Sequence, residues 1–356
     1  MSSSRPSRRT YRTSSLRSRA GRKRVALWPF EGGHLLYESF GILFRESAMF
    51  NTTSFYRRIK AARKSTLLLF FLGPTLTLVF FFYFLPVVFT VLLSMTDMNE
   101  TFDWHFIGPA NFMKIILGGD PRVVRIITNT AIYMVLALIL TVSGGLIIAL
   151  LTTHMKEGAG IFFRAVWLLP NLTPPVVYIL LWKWFFDPTH YGFLNSVLGA
   201  FDVSSQPWLI RYALPIVIPV NAFIGLSFCM VTFTSAIKSI PTDITYAAKV
   251  DGATTWQVIR YVTLPLLKWP IMFMTAWHVI AHLNSYVYTL LLTDGGPYYR
   301  SEVWALYALH KSFDYHEFGY GAALAMLLVC VSVILTLAVW KIFGFTRLME
   351  PSRIEV

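Results

Sequence analysis

Six stretches of the chain are apolar over the length of a membrane crossing, about 20 residues. They run approximately over 66–96, 126–152, 163–186, 208–235, 270–292 and 319–343, and each is read as a transmembrane helix. Pro74, Pro86, Pro170, Pro174, Pro175, Pro215 and Pro219 fall inside these stretches. Such residues break helices in water, but in a membrane neighbouring helices and side chains re-satisfy the freed backbone groups, so several kinked helices are expected. Small residues mark close helix contacts, within the chain or between chains: Gly145 and Ala149 in the second stretch, and Gly319, Gly321, Ala322 and Ala325 in the sixth.

Composition supports this reading. The chain is 55% hydrophobic and 14% charged over 356 residues, whereas soluble domains carry about a quarter charged residues. Cys229 and Cys330 both lie in apolar runs, which argues for packing roles rather than a disulfide framework or a paired-cysteine metal site. The net charge of +13 is concentrated at the start, where the first 64 residues hold nearly half of the lysines and arginines. The Ser- and Arg-rich "SSSRPSRRTYRTSSLRSRAGRKR" is read as disordered. Its length, followed by a full-length apolar run, argues against a signal peptide. In residues 25–56, Leu36, Phe40, Leu43 and Phe44 can share one helical face. Two readings stand there: an interfacial helix on the inner leaflet, beside a tail attracted to anionic lipid, or an ordered cytoplasmic linker. The arginines lack a pattern of interleaved aromatics, so nucleic-acid binding is not expected.

With the basic tail in the cytoplasm, six spans return the C-terminus to the same side. The cytoplasmic loops then carry Lys156, Arg164, Lys238, Lys249, Arg260, Lys268, Lys341, Arg347 and Arg353, while the opposite loops are rich in Asp and Glu. This is the positive-inside distribution.

Several chemistries are excluded or weakened. No stretch matches GxxxxGK[ST], so the chain is not expected to hydrolyse ATP or act as an enzyme by itself. Mid-span positions are almost free of Asp, Glu, Lys and Arg, against what proton or sodium coupling requires. Lys183 and Arg211 lie near span ends, where they can snorkel. His278 and His282 stand four apart on one helical face, as metal-ligating histidines can. The zinc-protease pattern would place Glu where Val279 stands, so the pair is read as polar residues facing the bundle interior, and no metal is expected.

Residues 239–265, "SIPTDITYAAKVDGATTWQVIRYVTLP", form a polar, helix-favouring loop between the fourth and fifth spans. Thr242 or Asp243 is available as an N-cap after Pro241. Asp251-Gly252 is a turn pair in which Gly permits positive φ, so two short helices at an angle are predicted, ended by Leu264-Pro265 at the start of the fifth span.

The spacing of Ala247-Ala248, Asp251-Gly252-Ala253 and Leu264-Pro265 resembles the EAA loop, "EAAxxDGA" followed by "LP", of permease subunits of ABC importers. The resemblance extends to "FIGPANF" (106–112), "NTAIYMV" (129–135), "FFRAVWLLPNLTPPVV" (162–177), "LWKWFFDPTHYGFLNSVLG" (181–199), "LLTDGGP" (291–297) and "FGYGAALAMLL" (318–328). These segments are similar to the carbohydrate branch, in particular the first permease of glycerol-3-phosphate and multiple-sugar systems. The resemblance covers residues 65–345 as a transmembrane permease domain, leaving the basic tail at 1–64 and a short cytoplasmic tail at 346–356 outside it.

What it implies is an all-α membrane protein: six transmembrane helices in the type I ABC importer permease fold, in a bacterial or archaeal cytoplasmic membrane. Implied partners are a second permease, two ATPase subunits that carry the ATP and Mg, and an extracytoplasmic solute-binding protein, with no cofactor bound by this chain itself. The residues expected at the ATPase are Asp243, Tyr246, Ala247, Ala248, Asp251, Gly252, Ala253, Leu264 and Pro265. Tyr246 departs from the family glutamate, although Asp243 keeps an acid three residues earlier. For a neutral sugar or polyol, a path needs amide, imidazole, hydroxyl and aromatic groups. Its candidates are Asn171, Asn221, His278, His282, Asn284, Ser285 and Tyr286. The competing reading is a stand-alone secondary transporter or channel, which calls for inverted repeats or buried ionisable groups that the sequence does not display.

Overall fold

The structure, a computed structural model, describes residues 70–343. The basic tail, the helix expected within 25–56 and the C-terminal tail at 346–356 lie outside the described residues. The chain divides into two units, residues 1–79 and 80–356. In the first, residues 70–79 are helical. The second begins with a π-helical turn, Phe80–Phe84, and α1 (Leu85–Ser94).

The rest of the second unit is helical, and among the described residues there is no β-strand. After the short α2 (Ala110–Ile116) come α3 (Val123–His154), α4 (Glu157–Leu172) and α5 (Pro175–Phe185). Two short helices follow, α6 (Phe193–Gly199) and α7 (Trp208–Arg211), then α8 (Ala213–Lys238). The polar loop holds α9 (Thr242–Val250) and α10 (Thr255–Leu266). The chain finishes with α11 (Lys268–Leu283), α12 (Val287–Thr293), α13 (Trp304–Phe313) and α14 (Phe318–Phe343).

Four helical stretches are long and apolar enough to cross a membrane: Phe70–Ser94, Val123–His154, Ala213–Lys238 and Phe318–Ile342. Two bent pairs raise the number to six if each pair is one span. In the first, the kink expected within 163–186 is a full break: α4 and α5 are separate helices that meet at 98°. The cause lies in Thr173-Pro174-Pro175, where each proline disfavours helical backbone in the residue before it, and both Thr173 and Pro174 are extended, with ψ of 131° and 134°. The second pair is α10 and α11, bent by 64°. Here Leu264-Pro265 does not end the helix, which continues through Leu266 and bends at Leu267. A π-helical turn over Ile259–Thr263 ends two residues before Pro265 and loosens the hydrogen-bond ladder where the proline cannot donate. The expected fifth span, 270–292, is interrupted as well: residues 284–286 separate α11 from α12.

The core is built on α3 and α8, the most extensive helix pair. Tyr133, Ala137, Thr141, Gly145 and Ala149, one every four residues, form the buried stripe of α3. A Cβ at Gly145 would collide with Cys229 of α8 and stand 3.0 Å from the Leu226 carbonyl, so the backbone approach depends on glycine. Gly319 and Gly321 likewise pack within the chain, against Thr96 and Ser312. Outside this core, long rows of Leu, Val, Ile and Phe are exposed along α3, α4, α5 and α14, as expected of surfaces that meet lipid or other apolar helices.

Candidate functional site

At one end of the bundle, α9 and α10 form the pair of short helices that the loop pattern predicts. Gly252 between them adopts φ +83°, and nothing lies within 4 Å of where its Cβ would be. Glycine is therefore required there by conformation rather than by space. The expected N-cap is corrected: Pro241, already extended (φ −55°, ψ 128°), occupies the cap position, and Thr242 and Asp243 fall inside the first turn. Side-chain capping occurs at α10, where Thr254 Oγ1 accepts from the Gln257 backbone N–H (3.3 Å) and Gln257 Oε1 accepts from that of Thr254 (2.7 Å). This reciprocal box satisfies two of the amides that a helix start leaves unpaired.

Asp243, Tyr246, Ala247, Asp251, Gly252 and Pro265 are exposed, and Ala248, Ala253 and Leu264 are half-buried. A cleft of about 360 Å³ opens between the two helices, lined by Ala248, Asp251, Gly252, Ala253, Gln257, Val258, Tyr261 and Val262. Tyr261 lines it while 74% exposed, and on the same two helices Tyr246 (62%), Val250 (87%) and Trp256 (69%) also stand in the open, Val250 and Trp256 each next in sequence to a lining residue. Val250, Trp256 and Tyr261 escape a motif-based reading, although the amphipathic spacing of the loop contains them.

The path candidates separate into three groups. Asn171 is exposed near the end of α4. Asn221, His278 and His282 are buried where α8 and α11 meet α3. His282 Nε2 lies 3.2 Å from Thr141 Oγ1, which itself donates to the Ala222 carbonyl (3.3 Å). His282 Nδ1 faces the Asn221 amide nitrogen at 3.4 Å, so the neutral tautomer with a proton on Nε2 donates to Thr141 and turns its acceptor nitrogen toward that amide. His278 Nδ1 donates to the Met274 carbonyl (2.9 Å) and lies 3.7 Å from Cys229 Sγ. Both imidazoles are thus engaged in bonds between and within helices. Among the described residues no group of three or more His, Cys, Asp or Glu is placed to hold a metal ion.

Asn284, Ser285 and Tyr286 form the break between α11 and α12. Asn284 and Tyr286 are exposed and Ser285 is half-buried. Asn221 joins the two groups: its amide donates to the Tyr133 hydroxyl and to Ser285 Oγ (3.2 Å). Tyr133, which sequence reasoning missed, also donates to Ser285 Oγ at 3.2 Å.

The opposite end of the bundle holds a second cluster the sequence did not announce. His310 Nδ1 lies 2.9 Å from Glu302 Oε1, and its Nε2 lies 3.3 Å from Asp294 and 3.7 Å from Asp314. The hydrogen bond to Glu302 holds the imidazole above its ordinary pKa against the effect of burial. Burial pushes the Glu302 carboxyl up against the pull of His310. Both groups shift upward, and the geometry makes His310 the cation, because both of its ring nitrogens face carboxylate oxygens, which only the imidazolium satisfies. Nearby, Asp120 accepts from the hydroxyls of Tyr307 and Tyr320 (3.1 Å for the latter) and ties α13 and α14 to the start of α3.

Broken apolar helices around a small-residue seam, with an exposed helical pair at one end, have the build of a polytopic membrane protein. The chain belongs to the binding-protein-dependent transport system inner membrane component family, whose model matches residues 141–344. It is a permease subunit and not an enzyme. It is 29% identical to a probable ABC transporter permease of Pyrococcus horikoshii, over 79% of this chain and 97% of that one. It is 27% identical to the diacetylchitobiose uptake system permease of Streptomyces coelicolor, over 82% and 86%. In fold it is similar to a chain of a bacterial alginate ABC transporter solved with an alginate-bound periplasmic protein, with a TM-score of 0.73 at 21% identity, covering 81% of this chain and 97% of that one.

Proposed function

We propose that this chain is one of two permeases in an ATP-driven importer of a sugar or polyol. A solute-binding protein delivers the cargo on the outer side, and two ATPase subunits, which carry the ATP and Mg, drive the cycle from the cytoplasm. In this reading the chain has six spans, with α4–α5 and α10–α11 each counted as part of one, and both termini lie in the cytoplasm. The observation that carries the proposal is the hinged pair α9–α10, with glycine at φ +83° and an open cleft rimmed by uncovered aromatic and aliphatic side chains. Such a surface suits a soluble partner that pushes on the bundle.

Asp243, Tyr246, Ala247, Ala248, Asp251, Gly252, Ala253, Leu264 and Pro265 belong to that coupling element. Closure of the ATPase pair shifts α9 and α10, and the bends at Leu267 and at Thr173 let the bundle exchange inward- and outward-facing packings. This is a population shift biased by nucleotide bound to the partner. The cargo passes along the break at Asn284, Ser285 and Tyr286, where polar side chains interrupt α11; irregular backbone at membrane depth is tolerated where it lines a cavity. Asn221, His278 and His282 support this break from behind, and Asn171 adds an amide at the other kinked span. The relative that takes up diacetylchitobiose supports the sugar class.

The test is purification of the tagged full chain from its native membrane in mild detergent, with every partner identified by mass spectrometry. An ATPase, a second permease and a solute-binding protein are expected together, and the ligand of that binding protein names the cargo. A chain that purifies alone from transport-active membranes overturns the reading.

A further inference from the structure

The break at 284–286 contains no proline or glycine, so its conformation is set from outside. The side chain at its centre is held by both α3 and α8. Ser285 Oγ accepts from Tyr133 on α3 and from Asn221 on α8, each at 3.2 Å, while the residues on either side, Asn284 and Tyr286, stay exposed. Tyr133 is itself fully buried; its hydroxyl accepts from Asn221, and its ring meets His282 edge to face with centroids 6.5 Å apart. Asn284 turns the other way, donating to the Ile280 carbonyl (2.9 Å) and lying 3.4 Å from Ser332 on α14. The hydroxyl of Tyr133 is thus at the junction of α3, α8 and the break.

We infer that Tyr133 is a positioning residue for transport: through Ser285 it fixes the rotation of the break that presents Asn284 and Tyr286 to the cargo. The inference rests on the path proposed above and adds a residue that touches no cargo itself. A buried hydroxyl that loses its partner leaves Ser285 and Asn221 free to re-pair, and the residues on either side rotate with it.

The test needs no identified cargo. Asn284→Cys and Tyr286→Cys are made separately in the full-length chain carrying Cys330→Ala, Cys229 being fully buried. Membranes are treated with a charged, membrane-impermeant thiosulfonate, and the two labelling rates are compared. Both cysteines are expected to label, and Tyr133→Phe, which keeps the ring and loses only the hydroxyl, is expected to change the ratio of rates about fivefold, the scale of one hydrogen bond in a local equilibrium. Ser285→Ala should give the same change, the two substitutions together no more than either alone, and Ser285→Thr the original ratio. If Tyr133→Phe does not assemble, Ser285→Ala against Ser285→Thr carries the test. Labelling at an unchanged ratio, or additive effects, overturns the positioning role and leaves the path reading intact. Cysteines that fail to label in any background overturn the path reading, and the inference with it.

Discussion

Glu302 and His310 face each other at 2.9 Å, with the carboxylate side chain only 2% exposed and the imidazole held between it and two further carboxylates. They tie the loop after α12 to the last turn of α13, where a cation also complements the helix C-terminus.

This pair predicts a pH dependence. A histidine whose folded pKa is raised contributes stability that is fully present below its unfolded value of about 6.5 and is lost as pH rises through the folded value. The purified protein is therefore expected to be most heat-stable at mildly acidic pH and to lose stability on moving above neutrality. His310→Gln should remove most of that slope and, at pH 6, cost about 3 kcal/mol, since the buried Glu302 carboxylate is left without its cation. Thermal unfolding in detergent across pH 5.5–9 checks this, and a slope unchanged by His310→Gln would refute it.

The hinge makes a sharper distinction. Because open space surrounds the Cβ position of Gly252, substitutions there act through φ +83° alone. Asparagine tolerates the left-handed region and β-branched residues do not. Gly252→Val is expected to abolish most ATP hydrolysis stimulated by cargo-loaded binding protein, whereas Gly252→Asn retains much of it, with both chains present in the membrane at ordinary levels. Equal activity of the two variants would remove the hinge from the coupling argument.

The α3–α8 seam gives a third expectation. Gly145→Leu forces apart two helices that meet at Cys229 and the Leu226 carbonyl and should cost about 1–3 kcal/mol by overpacking. Gly158→Leu, at a position where a Cβ meets nothing within 4 Å, should be neutral. Heat stability of the two purified variants separates a packing glycine from an incidental one.

How much of this was legible beforehand follows the range of the interactions. Apolar length located the four long helical stretches within about five residues, because the length needed to cross a membrane is a property of a continuous segment. Thr173-Pro174-Pro175 carried its own break: prolines predict kinked helices, and the helices here turn by 98°. The break at Asn284-Ser285-Tyr286 had no such marker. The hydrogen bond that holds its central Ser285 comes from Tyr133, 152 residues away in sequence, and no local pattern encodes it. Asp251-Gly252 announced the hinge because left-handed backbone leaves a residue signature. The apolar rim did not announce itself, since Val250, Trp256 and Tyr261 read equally well as residues facing the bundle.

That rim yields the last prediction. Tyr261 lines the cleft, Val250 and Trp256 are each next in sequence to a lining residue, and the three are 74%, 87% and 69% exposed, while Tyr246 stands where a carboxylate would be expected by resemblance. A contact built on such side chains depends on apolar burial more than on charge, so its tolerance of salt should be high. Buried aromatic anchors commonly account for 2 kcal/mol or more of an interface, which is roughly a thirtyfold loss of affinity when one is removed. Trp256→Ala is accordingly expected to strip the ATPase subunit from the purified complex, while the second permease remains bound. Tyr246→Phe, which keeps the ring, should leave the ATPase in place, and washing at about 0.5 M salt should not release it from the wild-type complex. Release of the ATPase by that wash, with Trp256→Ala holding it as firmly as the wild type, would mean that charge rather than the uncovered aromatic surface joins the two proteins.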